Sequence, residues 1–231
     1  MNPSQRPFVF VNMAMTADGK IATANRAVTT FGSPRDHDHL LKLRATADAV
    51  MAGARTVDTE AVNLGPGGAK YQRRRLKNGL AEYNIRIIVS GSGTINPRAE
   101  IFKHRFSPVI ILTSDRVPAA RLKSLRALAD DVWTSDGGKI DFPAALAWLQ
   151  SRWQIRRLLV EGGAELNAAL FRQRLVDELH VTICPRVFGG RAAPTIAESA
   201  GAPSLAAAAG FHIKSLRRRG GELFAIFGGV G

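Results

Sequence analysis

The stretch from Arg157 to Asn167 reads RLLVEGGAELN, and its pattern indicates the fold class. A short apolar run predicts a buried strand, the two glycines predict a tight turn, and a helix is expected from Gly163 or Ala164 onward. A strand followed by a turn and a helix is typical of a sheet with helices on its faces. The glycines also let a phosphate approach the backbone where the helix begins, and N–H groups at that end attract anions.

The same alternation runs along most of the chain. Apolar, β-branched runs predict strands at residues 8–15, 49–52, 86–90, 108–113, 131–134, 157–161, 178–187, 211–217 and 223–227. Capping residues and apolar spacing predict helices at residues 33–47, 118–128, 141–153 and 163–174. Gly220-Gly221 suits a hairpin turn between the last two strands. Residues 63–83 have no clear period and contain Gly-Pro-Gly-Gly, so a long loop is expected there.

Composition limits the class of protein. The chain has 231 residues, 45% of them hydrophobic and 22% charged, which is typical of a globular protein. No apolar run is long enough for a membrane span, and no signal peptide is expected. Cys184 is the single cysteine, so an internal disulfide is impossible and the cytoplasm is the expected compartment.

The net charge of +13 has two interpretations. It can create a field that attracts anions such as nucleotides, or it can reflect arginines scattered over solvated faces. The two arginine triplets, at residues 73–75 and 217–219, have no interleaved aromatic residues, so the sequence does not favour nucleic-acid binding. No metal-ligand spacing, Walker loop or nucleophile elbow is present, and no metal is expected.

Three further segments join a strand end to small or polar residues. Gly53-Ala54-Arg55-Thr56 predicts the start of a helix, where Thr56 could serve as the cap and Arg55 could meet a 2′-phosphate or only solvent. Asp18-Gly19 predicts a turn that brings the cation of Lys20 toward a ligand. Ser90-Gly91 begins a loop suited to a ribose or phosphate. Glu161 lies at the carboxyl edge of the sheet, where open α/β sheets bind ligands.

Taken together, five motifs resemble the pyrimidine reductases of riboflavin biosynthesis, which are similar to the C-terminal half of the bifunctional deaminase–reductase. The motifs are TADGKIA (16–22), LRATADAVMAGARTV (43–57), EGGAELN (161–167), LVDEL (175–179) and PRVFGG (185–190). The resemblance spans residues 9–227. It implies a single reductase domain over residues 1–231, without the deaminase domain.

The resemblance implies an α/β, dihydrofolate reductase-like three-layer fold, with a twisted, mostly parallel sheet and antiparallel C-terminal strands. It also implies a homodimer, the cofactor NADPH and an activity like that of 5-amino-6-(5-phosphoribosylamino)uracil reductase, in which hydride goes to ribose carbon 1. Lys20 and Glu161 would be catalytic, and Asp18, Arg44 and Glu161 would contact substrate. The residues that would line NADPH are Ala14, Thr30, Gly53, Thr56, Ser90, Gly91, Gly162, Gly163, Ala164, Glu165, Leu166 and Asn167.

The chain departs from the family pattern after Val57. The usual Asp-Asp-Pro-x-Leu-Thr-x-Arg run is absent, and residues 58–77 instead hold Glu60, a glycine-rich stretch and a basic stretch. Glu60 can stand in for the first acid, and the arginines at 73–75 can replace the missing phosphate contact or remain solvated. Two alternatives therefore stay open: reduction of a pterin or another heterocyclic imine or carbonyl, and a basic nucleotide-binding protein without catalysis.

Overall fold

The computed structural model describes residues 5–26, 31–59 and 62–230. These residues form two compact units. The first combines Met1–Phe8 with Leu41–Leu159, and the second combines Val9–Leu40 with Val160–Gly231, in each case over their described residues. Within the described residues, no helix combines the length and apolar character that crossing a membrane requires.

Nine strands and seven helices occur in the described part of the chain. The strands are β1 (Phe8–Thr16), β2 (Ala49–Gly53), β3 (Ile85–Val89), β4 (Val109–Ser114), β5 (Asp131–Ser135), β6 (Arg157–Val160), β7 (Glu178–Cys184), β8 (Phe211–Arg219) and β9 (Glu222–Gly229). The helices are α1 (Pro34–Arg44), α2 (Ala54–Thr59), α3 (Ala69–Lys77), α4 (Glu100–Lys103), α5 (Ala119–Leu128), α6 (Phe142–Trp153) and α7 (Ala164–Arg172), with a 3₁₀ turn at Leu205–Ala207.

In the first unit, the strands pair in the order β5-β4-β3-β2, and every pair is parallel. Met51, Ile87 and Ile111 are fully buried, as expected for parallel strands that are covered on both faces. The predicted cap of α6 is confirmed, since the Asp141 carboxylate accepts a hydrogen bond from the Ala144 amide at 3.1 Å. Because parallel strands point the same way, the loops that follow β2, β3, β4 and β5 all lie at one edge of this part of the sheet, the edge of the carboxyl ends.

In the second unit, β1 and β7 are parallel, whereas β9 is antiparallel to both β7 and β8. The predicted hairpin is confirmed: Arg219 pairs with Glu222 across Gly220-Gly221, and Gly220 has a φ of +64°. A left-handed backbone of this kind suits glycine, which has no Cβ to clash. The mostly parallel α/β fold with antiparallel C-terminal strands is therefore confirmed.

The expected loop at residues 63–83 is wrong in part, because α3 lies inside it. This helix has no apolar stripe, and Arg75 is its one buried residue, so the hydrophobic pattern does not reveal it. The short helix α4 was also not predicted. The largest differences at element ends are of three residues: α1 stops at Arg44 rather than near residue 47, and β7 stops at Cys184, directly before Pro185, rather than at residue 187.

Candidate active site

A tight turn after β1 presents Lys20 in the second unit. Thr16 is fully buried, and its hydroxyl donates to the Asp18 carboxylate at 2.5 Å and accepts from the Lys20 amide at 2.9 Å. The Thr16 amide donates to the Lys20 carbonyl at 2.8 Å, and Gly19 has a φ of +77°. The Asp-Gly-Lys motif is therefore a closed turn whose geometry is set by a buried threonine.

Asp18 also ties this turn to the loop after β7. Its exposed carboxylate accepts hydrogen bonds from the amides of Phe188 at 3.2 Å and Gly189 at 2.8 Å. These donors, with the Thr16 hydroxyl as the largest influence, hold the pKa of Asp18 below its ordinary value. Asp18 thus joins two of the sequence motifs, and its predicted contact with substrate stays a prediction.

Lys20 is half-buried, and its ammonium group is held by the chain itself. The Nζ atom donates to the Ala193 carbonyl at 3.0 Å. The backbone of Lys20 forms an antiparallel bridge with Thr195, and the Ile21 amide donates to the Pro194 carbonyl at 2.9 Å. The side chain therefore has a defined position against residues 193–195 rather than extending freely into solvent.

The glycine turn leads from β6 into α7. Glu161 follows β6 directly and is half-buried. Gly162 has a φ of +88°, and the peptide bond between Gly162 and Gly163 is cis. Gly163 is the N-cap of the nine-residue helix α7, and no side chain caps it. The first N–H groups of a helix have no acceptor within the helix, so this end can hold an anion.

One segment, residues 193–198, connects the start of α7 with Lys20. Asn167 is fully buried, and its Nδ2 donates to the Ile196 carbonyl at 2.8 Å. The Glu198 amide donates to the Ala164 carbonyl at 3.0 Å. No residue type marks this segment in the sequence, because its contacts to Asn167 and Lys20 use backbone carbonyls, which every residue type has. Within the second unit, the structure thus links Asp18, Lys20 and the glycine turn.

In the first unit, Arg44 is the last residue of α1. Its Nη1 donates to the Gly65 carbonyl at 2.6 Å. Gly65 has no room for a side chain, since an added Cβ would lie 2.8 Å from the Phe106 ring. The end of α1 therefore lies against the glycine-rich stretch that replaces the family's usual run.

The predicted cofactor residues of the first unit occupy two strand ends. Gly53 ends β2, and α2 begins at the next residue, so the prediction that Thr56 caps this helix is wrong: Thr56 lies inside its first turn. Ser90 follows β3, and its carbonyl and that of Gly91 accept hydrogen bonds from Thr113 and Ser114, both at 2.7 Å. An added Cβ at Gly91 would meet open space.

Other predicted residues are placed as follows. Ala14 lies on β1 in the second unit, opposite Thr182 of β7, and is half-buried. Thr30 and Glu60 lie outside the described residues. The hypothesis that Arg75 contacts a substrate phosphate is wrong, because its side chain is buried and donates to three backbone carbonyls. Its neighbours Arg73 and Arg74 are exposed on α3.

Titratable groups elsewhere do not form a metal site. Among the described residues, no group of three or more histidine, cysteine, aspartate or glutamate side chains could hold a metal ion. Cys184 is buried beside Glu222, and burial together with nearby carboxylates raises the pKa of its thiol to about 12. The thiol is therefore protonated at neutral pH.

Comparison with known proteins identifies the family. The family model described as the RibD C-terminal domain matches residues 7–223. The chain belongs to this family. It is 31% identical over 193 residues to a protein of Archaeoglobus fulgidus, covering 84% of this chain and 87% of the relative. It is also 31% identical over 222 residues to a protein of Methanothermobacter thermautotrophicus, covering 96% of this chain and 98% of the relative. Both relatives are named 2,5-diamino-6-ribosylamino-4(3H)-pyrimidinone 5′-phosphate reductase.

Solved structures support the same fold. A pyrimidine reductase-like protein of Corynebacterium diphtheriae matches with a TM-score of 0.80 at 20% identity, over 99% of this chain and 94% of that one. RibD of Acinetobacter baumannii matches with a TM-score of 0.79 at 19% identity, over 98% of this chain, which spans 59% of that protein. The resemblance inferred from the five motifs is therefore confirmed.

Proposed function

We propose that this protein is an NADPH-dependent reductase of a phosphorylated ribosylaminopyrimidine in riboflavin biosynthesis. Its relatives of 31% identity, named for a diaminopyrimidinone 5′-phosphate, support that compound as the first substrate to test. The observation that carries the proposal lies in the second unit, where residues 193–198 connect Lys20 to the start of α7. One segment therefore holds both Lys20, the cation proposed to act on the substrate, and the start of α7, where an anion can bind.

The residues at the start of α7 suit the phosphates of a dinucleotide. The helix has nine residues and no side-chain cap, so backbone donors at its N-terminus face away from the helix. Gly162 lies so close to Met13 that an added Cβ would be 3.1 Å from its Sδ. Since Gly162 also has a φ of +88°, any other residue at this position would be strained. We assign residues 162–167 to the cofactor, and we keep Ala14, Thr30, Gly53, Thr56, Ser90 and Gly91 as further predicted contacts.

NADPH, when bound, supplies the hydride that reduces ribose carbon 1 of the ring-opened imine. The residues of the chain hold the substrate in position and supply the proton that the imine nitrogen takes up. Lys20, fixed against Ala193, donates the proton to the imine nitrogen directly or through a water molecule, and Glu161 orients Lys20 or the pyrimidine. Asp18 holds the turn that carries Lys20, and Arg44 binds substrate. Holding the reactants in this way supplies most of the acceleration.

The test compares Lys20→Met with Lys103→Met, since the Lys103 side chain is exposed at the end of α4 and pairs with Glu100 at 2.9 Å. NADPH oxidation is followed with the diaminopyrimidinone phosphate and with 5-amino-6-(5-phosphoribosylamino)uracil. Removing a general acid lowers turnover by roughly 100-fold or more. We expect that loss for Lys20→Met alone, with unchanged NADPH affinity. Equal kinetics for the two variants would remove Lys20 from the reaction.

A different substrate is the second candidate function. It is favoured by α3, which lies where the family's usual run is missing and whose Arg75 is buried away from any ligand. A dihydropterin tested beside the two pyrimidine phosphates separates the candidates, since the preferred substrate has the higher kcat/KM. Salt-sensitive nucleotide binding without NADPH oxidation for any of them would indicate the non-catalytic alternative.

We further propose that both units act as one reductase domain in a cytoplasmic homodimer. The apolar side chains of β7 do not support the dimer, because Leu179 and Val181 are buried within the chain. Strand β8 supports it better: among the strands of the described residues it pairs with β9 alone, and its Ile213 and Leu216 are 66% and 58% exposed. A monomer mass by light scattering at micromolar concentration would contradict the dimer.

A further inference from the structure

A buried arginine on α3 contacts the end of the helix that carries Arg44. Arg75 is 1% exposed, although it lies in a basic run whose two preceding arginines are exposed. Its Nε donates to the Ala81 carbonyl at 2.8 Å, and its Nη1 donates to the carbonyls of Arg44 and Ala47, both at 2.6 Å. Burial lowers its pKa to about 10, so the guanidinium is still charged at neutral pH.

These contacts add side-chain donors to carbonyls at the end of α1 and just after it, where the Arg44 carbonyl otherwise accepts only a 3.3 Å hydrogen bond from the Ala47 amide among the described contacts. The last carbonyls of a helix have no N–H donor within the helix, and a cation at that end is favourable. Asn78, directly after α3, adds a hydrogen bond from its Nδ2 to the Ala45 carbonyl at 2.9 Å. Arg75 and Asn78 thus hold the carbonyls of residues 44, 45 and 47, and this fixes the backbone from which the Arg44 side chain extends.

The glycine-rich stretch holds the same helix end from another direction. Besides the contact between Arg44 and the Gly65 carbonyl, Gly67 has a φ of +89°, and a Cβ added to it would lie 3.0 Å from the Leu41 side chain of α1. The segment that departs from the family pattern therefore contacts Arg44 at its side chain, through Gly65, and at its backbone carbonyl, through Arg75.

We propose that Arg75 is a positioning residue that sets the orientation of Arg44 toward the substrate. The inference rests on the proposed function, in which Arg44 binds the phosphorylated substrate. A planar fork of donors suits several carbonyls at once, whereas the single ammonium of lysine does not reproduce that geometry. The basic segment thus acts on the substrate through Arg44 rather than by direct contact.

Arg86 offers a matched control in the same unit. It is fully buried, its pKa is also lowered to about 10 by burial, and it donates to Ser107 and to the Ile101 carbonyl at 2.7 Å. These contacts involve neither α1 nor α3. Lysine at this position retains a positive charge beside the Phe106 ring, over which Arg86 lies at 4.2 Å. Arg75→Lys and Arg86→Lys should therefore cost similar stability.

The experiment measures thermal unfolding, NADPH affinity and substrate KM for both variants. We expect Arg75→Lys to raise substrate KM about 10-fold, equivalent to about 1.4 kcal/mol, with NADPH affinity unchanged. Arg86→Lys should leave both constants unchanged. Equal KM values for the two variants would show that Arg75 only stabilises the fold. If Arg75→Lys does not fold, Asn78→Ala serves instead, with a smaller rise in KM expected and an unchanged KM counting against the inference.

A double-mutant cycle with Arg44→Met separates this inference from the proposed function. If Arg75 acts through Arg44, its substitution should have no further effect on KM once Arg44 is methionine, because coupled residues are not additive. Additive effects would overturn the positioning role alone. An unchanged KM for Arg44→Met would instead remove Arg44 from the substrate site, and absence of NADPH oxidation in the parent would contradict the proposed function itself.

Discussion

Replacing Asn167 with alanine tests whether the start of α7 binds the cofactor. The substitution removes the 2.8 Å hydrogen bond to the Ile196 carbonyl. Leaving a buried acceptor without a donor costs about 1–3 kcal/mol, and since Ile196 is half-buried the cost here stays below the upper end of that range. The Oδ1 atom of Asn167 is buried without a partner among the described residues, so its removal offsets part of this cost. We expect a net loss of about 1–2 kcal/mol, or about 2–8 °C in Tm.

Asn84→Ala is the matched control. Asn84 is also fully buried, and its Oδ1 also has no partner among the described residues. Its Nδ2 donates to the Leu64 carbonyl at 2.8 Å and to the Ile85 carbonyl at 3.1 Å. It belongs to the first unit, whereas residues 193–198 belong to the second. Asn84→Ala should therefore lose at least as much stability as Asn167→Ala, but only Asn167→Ala should loosen the start of α7.

The assay is thermal unfolding with and without NADPH. A ligand at about 100 times its Kd stabilises the folded state by about 2.7 kcal/mol, and a Kd about 10-fold higher reduces that gain by about 1.4 kcal/mol. We expect this reduction for Asn167→Ala and none for Asn84→Ala. The same NADPH-induced rise in Tm for both variants would refute the assignment of the cofactor to this helix.

Three further predictions concern the second unit. Gly162→Ala should lower the free energy of unfolding by about 1–2 kcal/mol, because residue 162 has a left-handed backbone, and the close contact with Met13 should add to this loss. An unchanged midpoint of denaturant unfolding would count against this backbone geometry. The hydrogen bonds that the Asp18 carboxylate accepts lower the pKa of Asp18. Their contribution to the stability of the folded protein is therefore complete above the ordinary pKa of 3.8, and it is lost as pH falls through the lower pKa of the folded state. The amide resonance of Gly189 should follow this titration in the parent but not in Asp18→Asn. Cys184, whose pKa is raised to about 12, should resist thiol reagents at neutral pH until the protein unfolds, and rapid labelling of the folded protein would contradict its burial.

Elements with an apolar pattern were predictable from the sequence. All nine strands of the described residues were expected close to their observed bounds. Continuous β-branched runs predict the buried parallel strands of the first unit, and the Gly220-Gly221 turn signal separates the antiparallel β8 and β9. Helix α6 was predictable from its Asp141 cap and its buried Leu146 and Leu149. Helix α3 was not, because the side chain that holds it is an arginine bonded to carbonyls, and a polar helix without an apolar stripe gives no periodic signal.

The candidate site was predictable only where chemistry depends on side chains. Lys20 stands out because a cation requires a basic side chain, and the glycine turn stands out because a positive φ favours glycine. Residues 193–198 could not be found in this way, since Ala193 and Ile196 act through backbone carbonyls. The role of Arg75 was also hidden, because a sequence does not distinguish a buried guanidinium from a solvated one.

The most direct test of the proposed activity follows the hydride itself. NADPH carrying deuterium at the transferred position is incubated with the protein and the diaminopyrimidinone phosphate, and the product is analysed by mass spectrometry and NMR. We expect a ribityl product with one deuterium at carbon 1, formed by the parent and formed much more slowly by Lys20→Met. A product without the label, or none from any phosphorylated ribosylaminopyrimidine, would contradict the proposed activity.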